Sequence, residues 1–436
     1  MTRTLYDHQR RALTKLPVGG GYLAFEQGLG KTLTAIEYVR MHGYKRILVV
    51  SPAVATMVWQ DELEKEYIHV ELQQGSRARK ADRIAVLKRY EYAGYIVLNY
   101  EALLDRLVEK AIRQWGPDLI IVDEAHKIKN AVAKRSKVLH RLSKDTPCLL
   151  LSGTPITRNL LDLYSQYKTI DQQIWNGQTW TAFKQRYGVF GGYGGYELLG
   201  YRDTEDLKAR IAPYTLVARK EDTLDLPDKT FTTVRVHGDD NHWRAYSAMA
   251  RTGVWKDWIT TTPLEVALRL AQIAASAKVP ATVEFVRGLR DQGQAVVVYA
   301  RFRSDLGELS EALGVEALHG GTNPAHRRNL VEDFTDGRTD IFLSQISAGS
   351  TGITLTAASH MVYHSLTFAY EDWAQSQDRI HRIGQTRPVN YYHMTMVGPK
   401  GGMLIDGLVL KSLETKDDVA GMITRDPRLL LPKELT

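Results

Sequence analysis

The run FEQGLGKT, Phe25 to Thr32, follows a short apolar stretch and opens a segment with helical spacing. Backbone amides in a glycine loop at a helix N-terminus form a nest for anions, so the run reads as a phosphate site. Gly28 and Gly30, with Leu29 between them, let the chain approach phosphate closely. Lys31 can reach the β and γ phosphates, and Thr32 offers a hydroxyl to Mg²⁺. Phe25 stands where the strict phosphate-loop pattern has its first glycine, and a GKT tripeptide also arises by chance. Phosphate binding is the expectation at this step, with an ordinary helix start as the alternative.

Ninety-two positions after Lys31 comes Asp123, in IIVDEAH. Three β-branched residues lead into Asp123, Glu124 and His126, which places the carboxylates at the C-terminal end of a buried strand. Ligands of open α/β sheets bind at that end. Asp123 suits a Mg²⁺ ligand, directly or through water, and Glu124 suits a general base that orients attacking water. The plainer alternative is a helix cap with two surface carboxylates; the upstream GKT loop favours the first. A third element, QSQDRIHRIGQ, spans Gln375 to Gln385. Read as part of a helix over 371–382, it puts Arg379 and Arg382 on one face. Such a pair is ordinarily solvated or salt-bridged, unless turned toward a nucleotide held elsewhere, where it could neutralise developing phosphoryl charge.

Parallel α/β sheets must position these residues. Strands are expected at 21–25, 46–50, 95–98, 119–122 and 148–151, with crossover helices at 31–41 and 101–115. Residues 171–203 are rich in aromatics and glycine and read as loop or hairpin. The run 222–229, with Pro227, reads as a linker. Alternation then resumes: strands at 295–300, 340–343, 360–363 and 389–394, and helices at 305–313, 325–334 and 371–382. The fold class is therefore α/β, with two domains, 1–225 and 226–436. The length of 436 residues agrees, being about twice what one core usually serves.

With 44% hydrophobic and 25% charged residues, a mostly disordered chain is excluded. No apolar run approaches a membrane span, and the N-terminus lacks a signal core, so export and membrane insertion are not expected. A single cysteine, Cys148, rules out an internal disulfide and a cysteine-based zinc site. The net charge of +7 is uneven: residues 1–225 hold 34 basic and 26 acidic side chains, residues 226–436 hold 23 and 24. The excess concentrates at 77–89 and 127–144. Basic stretches suggest a polyanion partner, against the alternative of solvated helix faces. Trp175, Trp180, Trp243, Trp255 and Trp258 are read as packing residues first and base-stacking candidates second.

The ordered set of motifs resembles the Snf-type (Swi/Snf-like) ATPases of helicase superfamily two. LYDHQRRAL is similar to the family's adenine-reading segment, with Gln9 in the reading position. EQGLGKT resembles motif I, which in this family often lacks the first glycine. SPAVATMVWQDEL, with Trp59, and VLNYEALL, around Tyr100, resemble the next two motifs, and IVDEAHKIKN and LSGTPITRN resemble motifs II and III. VVVYARF, HGGTNPAHRRNLVEDF, LSQISAGSTGITLTAASHMVYH and QSQDRIHRIGQTRPV resemble those of the second lobe.

The resemblance implies two RecA-like lobes in tandem with ATP and Mg²⁺ between them. By it, Gln9, Gly28, Leu29, Gly30, Lys31, Thr32, Asp123 and Glu124 act from lobe one, and Gly352, Gln375, Arg379 and Arg382 from lobe two. It further implies a DNA-stimulated ATPase moving on DNA, duplex favoured over single-stranded, as a monomer. Departures at Gln345-Ile346-Ser347 and Thr354 fall on the DNA-coupling motif. The short span between the two motif groups resembles a compact prokaryotic or bacteriophage-encoded member, acting in cytoplasm or nucleoid. A nucleotide-gated DNA-binding or recruitment protein with weak ATPase, and an RNA helicase, are the alternatives.

Overall fold

The computed structural model describes residues 4–72, 76–153, 155–156, 159–223, 226–255, 262–349, 353–415, 422 and 427–430. Six apolar runs of the first half form strands β1 (Gly20–Phe25), β2 (Arg46–Ser51), β3 (Val70–Leu72), β4 (Gly94–Asn99), β5 (Leu119–Asp123) and β6 (Cys148–Leu151). A hairpin, β7 (Gly188–Gly191) and β8 (Glu197–Tyr201), precedes β9 (Thr215–Ala218). The first sheet is wholly parallel, in the order β3-β4-β2-β5-β6-β1-β9.

Alternate residues of these strands feed two cores. Leu48, Val50, Ile120, Val122 and Leu150 enter one; Ile47, Val49, Leu119, Ile121 and Leu149 enter the other. That is the period-2 consequence of a pleated strand covered on both faces, and it explains why the strands read as unbroken apolar runs. The helix Arg106–Trp115 shows the covering logic. The Asp105 side chain accepts from the amides of Leu107 and Val108, and Val108, Ala111, Ile112 and Trp115 form its buried face.

The second half repeats the plan with β10 (Lys229–His237), β11 (Val296–Ala300), β12 (Ala317–Leu318), β13 (Ile341–Gln345), β14 (His360–Tyr363) and β15 (Val389–Val397). This sheet is also parallel, in the order β10-β15-β14-β11-β13-β12. A 29-residue helix, Pro263–Asp291, packs on it, opened by a capping box between Thr262 and Glu265. Inside, the Lys278 ammonium, fully buried, pairs with Asp406 at 2.8 Å and donates to the Met394 carbonyl at 2.8 Å. The Asp406 carboxylate also accepts from the Met396 amide.

The chain divides into two compact units, Met1–Asp225 and Leu226–Thr436. Among the described residues no helix is long and apolar enough to cross a membrane. Three expectations need correction. The linker expected over 222–229 is shorter, because Lys220–Thr223 is helical and Lys229 already begins β10. The loop or hairpin expected over 171–203 contains a helix, Trp180–Tyr187, capped by the Thr179 hydroxyl, before the hairpin itself. The helix expected over 371–382 ends at Gln377. There the Arg379 carbonyl accepts from the Leu355 amide, a bond to a distant segment that replaces continuation of the helix. Trp175 is core; Trp180 and Trp243 pack partly against the cores; the Trp255 side chain and Trp258 lie outside the described residues.

Candidate active site

Strand β1 ends at Phe25 and the chain turns through Glu26–Gly30 into the helix Lys31–His42. Gly28 (φ +83°) and Gly30 (φ +73°) adopt the left-handed region, which exposes the loop amides without a side chain in the way. Glycine at 30 has a second cause. A Cβ there would stand 2.3 Å from Nε2 of Gln9, which donates to the Gly30 carbonyl at 3.2 Å. Gln9 is buried, with its Oε1 accepting from the Tyr6 amide at 2.8 Å, and the neighbouring His8 bonds the Leu29 carbonyl at 2.9 Å. The first helix, Asp7–Lys15, thus grips the loop at two successive carbonyls. The Lys31 ammonium donates to the carbonyls of Phe25 (2.9 Å) and Glu26 (3.3 Å), so it arches back over the loop. Thr32 sits in the first turn of the helix.

Asp123 ends β5, two strands from β1, with β6 between them. Its carboxylate accepts from the indole of fully buried Trp59 at 2.9 Å and from the Glu124 amide at 2.9 Å. Desolvation, then the adjacent Glu124 charge, push the Asp123 carboxyl up to about 6, against the pull of the Trp59 bond and the Lys31 charge. A buried carboxylate destabilised by a like charge favours a bound cation. With the Thr32 hydroxyl it supplies hard oxygen donors, the set that suits Mg²⁺. Among the described residues no group of three or more His, Cys, Asp or Glu is arranged to hold a metal.

Glu124 occupies the left-handed region (φ 50°, ψ 53°), uncommon for a residue with a Cβ and the kind of strain found at functional sites. The Tyr100 hydroxyl secures this turn by donating to the Asp123 carbonyl at 2.6 Å. Nδ1 of His126 lies 3.3 Å from the Glu124 carboxylate and 3.2 Å from the Ser152 hydroxyl. Ser152 directly follows β6. At the next position a Cβ on Gly153 would meet the Phe25 carbonyl at 3.2 Å. The segment after β6 therefore touches the loops after both β1 and β5. Sequence reasoning assigned no bonding role to His8, Trp59, Tyr100 or Ser152; the readable signal was a Trp N–H and a Tyr O–H in buried segments, which need partners.

In the second unit, Arg379 is buried, its guanidinium donating to the carbonyls of Ile353 and Gln375, each at 3.1 Å. Arg382 donates to the Thr354 hydroxyl at 2.8 Å. They sit on a turn rather than a helix face, yet both reach the segment 353–354. The Gln385 amide fixes that turn through the carbonyls of Thr356, Ala358 and Ile380. Gln375 is buried beside them, while Gly352 lies outside the described residues. Arg327, bonded to the Ala348 carbonyl at 2.8 Å, is close enough that the Arg379 charge helps burial lower its pKa.

The basic stretches are helices. Residues Arg77–Arg89 form one, with Arg79, Lys88 and Arg89 exposed, and the second stretch, beginning directly after His126, includes the helix Lys134–Leu142. Its Val138, Leu139 and Leu142 are core, so only one side of that helix is available to a partner.

Two family models match the chain. The SNF2-related domain covers residues 8–279, and the helicase conserved C-terminal domain covers residues 277–384. The chain is 27% identical over 435 residues to the mouse (Mus musculus) DNA annealing helicase and endonuclease ZRANB3, covering 92% of this chain and 38% of that protein. It is 26% identical over 422 residues to the putative ATP-dependent helicase/translocase YwqA of Bacillus subtilis (strain 168), covering 87% and 44%. It thus spans about two-fifths of the length of these relatives. A solved SWI2/SNF2 ATPase core from Sulfolobus solfataricus, in complex with dsDNA, aligns over 100% of this chain and 98% of that one, at 23% identity and a TM-score of 0.46. With a model matching more than half its length, the chain belongs to the SNF2-related family.

Proposed function

We propose that the protein hydrolyses ATP in response to DNA and uses the cycle to move along duplex DNA. The observation that carries this reading is the convergence of Gln9, the Gly28–Thr32 loop, Asp123 and Glu124 at the C-terminal ends of interior strands of a parallel sheet, in a chain of the SNF2-related family. In this reading Gln9 reads adenine and positions the loop. The amides of Gly28, Leu29 and Gly30 cradle phosphate, with Lys31 leaving the Phe25 carbonyl for the β and γ oxygens. Mg²⁺, when bound, supplies charge neutralisation between the phosphates. Thr32 and Asp123 hold it, Glu124 orients the attacking water, and His126 steadies the Glu124 carboxylate. Arg379 and Arg382, with Gln375 and Gly352, are the residues assigned to neutralise charge developing on the transferred phosphoryl group.

The +8 excess of residues 1–225 supports a phosphate-backbone partner, with exposed Arg79, Lys88, Arg89, Lys134 and Lys137 as its contacts. The protein acts as a monomer on DNA inside a prokaryotic cell, host- or phage-encoded. Steady-state ATP turnover with no nucleic acid, single-stranded DNA, duplex DNA and RNA tests the proposal. Duplex DNA should stimulate most. Stimulation by RNA equal to that by duplex would refute it in favour of RNA unwinding, and no stimulation at all would favour a nucleotide-gated binding protein.

A further inference from the structure

The β7–β8 hairpin has no part in the chemistry above, yet its tip is built in an unusual way. Gly191, Gly192, Gly194 and Gly195 surround it, and three of them, 192, 194 and 195, lie at φ of +74°, +82° and +74°. Tyr196 follows directly and is 89% exposed. Its ring is not loose, however. A Cβ on Gly194 would meet Cδ2 and Cε2 of Tyr196 at 3.2 and 3.3 Å, so one edge of the ring lies close against Gly194. An exposed planar ring held along one edge and flanked by glycines has its faces available for stacking.

The base of the hairpin is joined to the chain that follows β6. The Tyr201 hydroxyl accepts from the Leu160 amide at 3.3 Å, just after the segment that links the loops of β1 and β5. Phe190 and Leu198 pack against the core beneath, which holds the hairpin upright. Lys184, Arg186 and Arg202 stand at the base, with Arg186 paired to Asp206 and Arg202 tied to the carbonyls of Gln185 and Arg186. Between 180 and 202 the only carboxylate is Glu197, and Asp203, Glu205 and Asp206 follow directly.

We propose that this hairpin is a second nucleic-acid contact, which stacks Tyr196 on an unpaired nucleobase at a junction or single-stranded tail. A protein partner fits less well, since an exposed ring among glycines offers one stack and little of the contiguous apolar area that anchors an interface. Duplex DNA alone also fits less well, because its outward face is phosphate and its bases are already stacked. The proposal rests on the reading of the protein as a DNA-dependent motor and adds the structure that it prefers.

The test uses the full chain with two probes, a blunt duplex and the same duplex carrying a single-stranded fork with 2-aminopurine at the first unpaired position. The wild type should bind the fork more tightly than the blunt duplex and quench 2-aminopurine. Tyr196→Ala should lose roughly 5- to 100-fold in fork affinity, the range of one lost base stack, and lose the quenching. Blunt-duplex binding and duplex-stimulated ATP turnover should stay unchanged, and Tyr196→Phe should behave as wild type. Equal fork binding by wild type and Tyr196→Ala, or a Tyr196→Phe variant as weak as Tyr196→Ala, overturns the stacking role while leaving the motor reading intact. A wild type that binds neither probe overturns both.

Discussion

The indole of Trp59 donates to the Asp123 carboxylate at 2.9 Å, joining the helix after β2 to the end of β5. Neither residue is near the other in sequence, and a phenylalanine would fill much of the same volume without the bond. Trp59→Phe removes a hydrogen bond to a charged group, worth roughly 1.5–3 kcal/mol. The expected outcome is a fall of about 10- to 100-fold in kcat/KM for ATP, partly recovered at high Mg²⁺, together with a thermal midpoint lower by several degrees. Mg²⁺-dependent kinetics of the variant check this; wild-type kinetics would show that the bond is idle.

Glu124→Gln keeps the shape of the strained turn and removes the carboxylate beside His126. Turnover should fall by roughly 10²–10⁴, the span of a lost general base, while ATP binding persists because Lys31, Thr32 and Asp123 are intact. Arg382→Ala should cost on the order of 10³ in kcat from the second unit. Single-turnover hydrolysis alongside equilibrium nucleotide binding separates the two steps.

Gly30→Ala places a methyl group 2.3 Å from the Gln9 amide in a backbone conformation of φ +73°. The loop or the first helix must give way, and nucleotide affinity should drop by at least about 5-fold, since left-handed geometry alone costs roughly 1 kcal/mol for a residue with a Cβ. Adding Gln9→Ala relieves the clash but not the backbone cost, so the double variant should recover only in part. Full recovery would show that crowding alone makes glycine necessary.

Lys278 and Asp406 form a buried pair under the long helix of the second unit. Lys278→Ala leaves an uncompensated carboxylate and should destabilise that unit by roughly 3–5 kcal/mol. Lys278→Met with Asp406→Asn should recover much of it, since the side-chain amide oxygen introduced at position 406 could still accept from the Met396 amide. Urea unfolding of the three proteins checks the order.

Much of this was legible because it was local. Strands buried on both faces read as unbroken runs such as Ile47–Val50 and Leu119–Val122, and the loop Phe25–Thr32 carries its glycines in plain sight. What escaped depends on distant partners. The helix over 371–382 fails because the Arg379 carbonyl bonds Leu355 and Gln385 grips three carbonyls, interactions mostly between segments about 25 residues apart. The long helix Pro263–Asp291 runs through Pro280, a residue that alone reads as a break. The pairing of Trp59 with Asp123 has no spacing rule; only the need of a buried indole N–H for an acceptor hinted at it.

The central claim is that ATP hydrolysis drives travel along duplex DNA. Displacement of a third strand from a duplex carrying a short triplex tests it most directly, because release requires a motor to arrive along the double helix. The wild type should release the strand with ATP and Mg²⁺, not with ADP, and Glu124→Gln should release none. Duplex-stimulated ATP turnover without strand release would contradict the account and leave a DNA-activated ATPase that does not move.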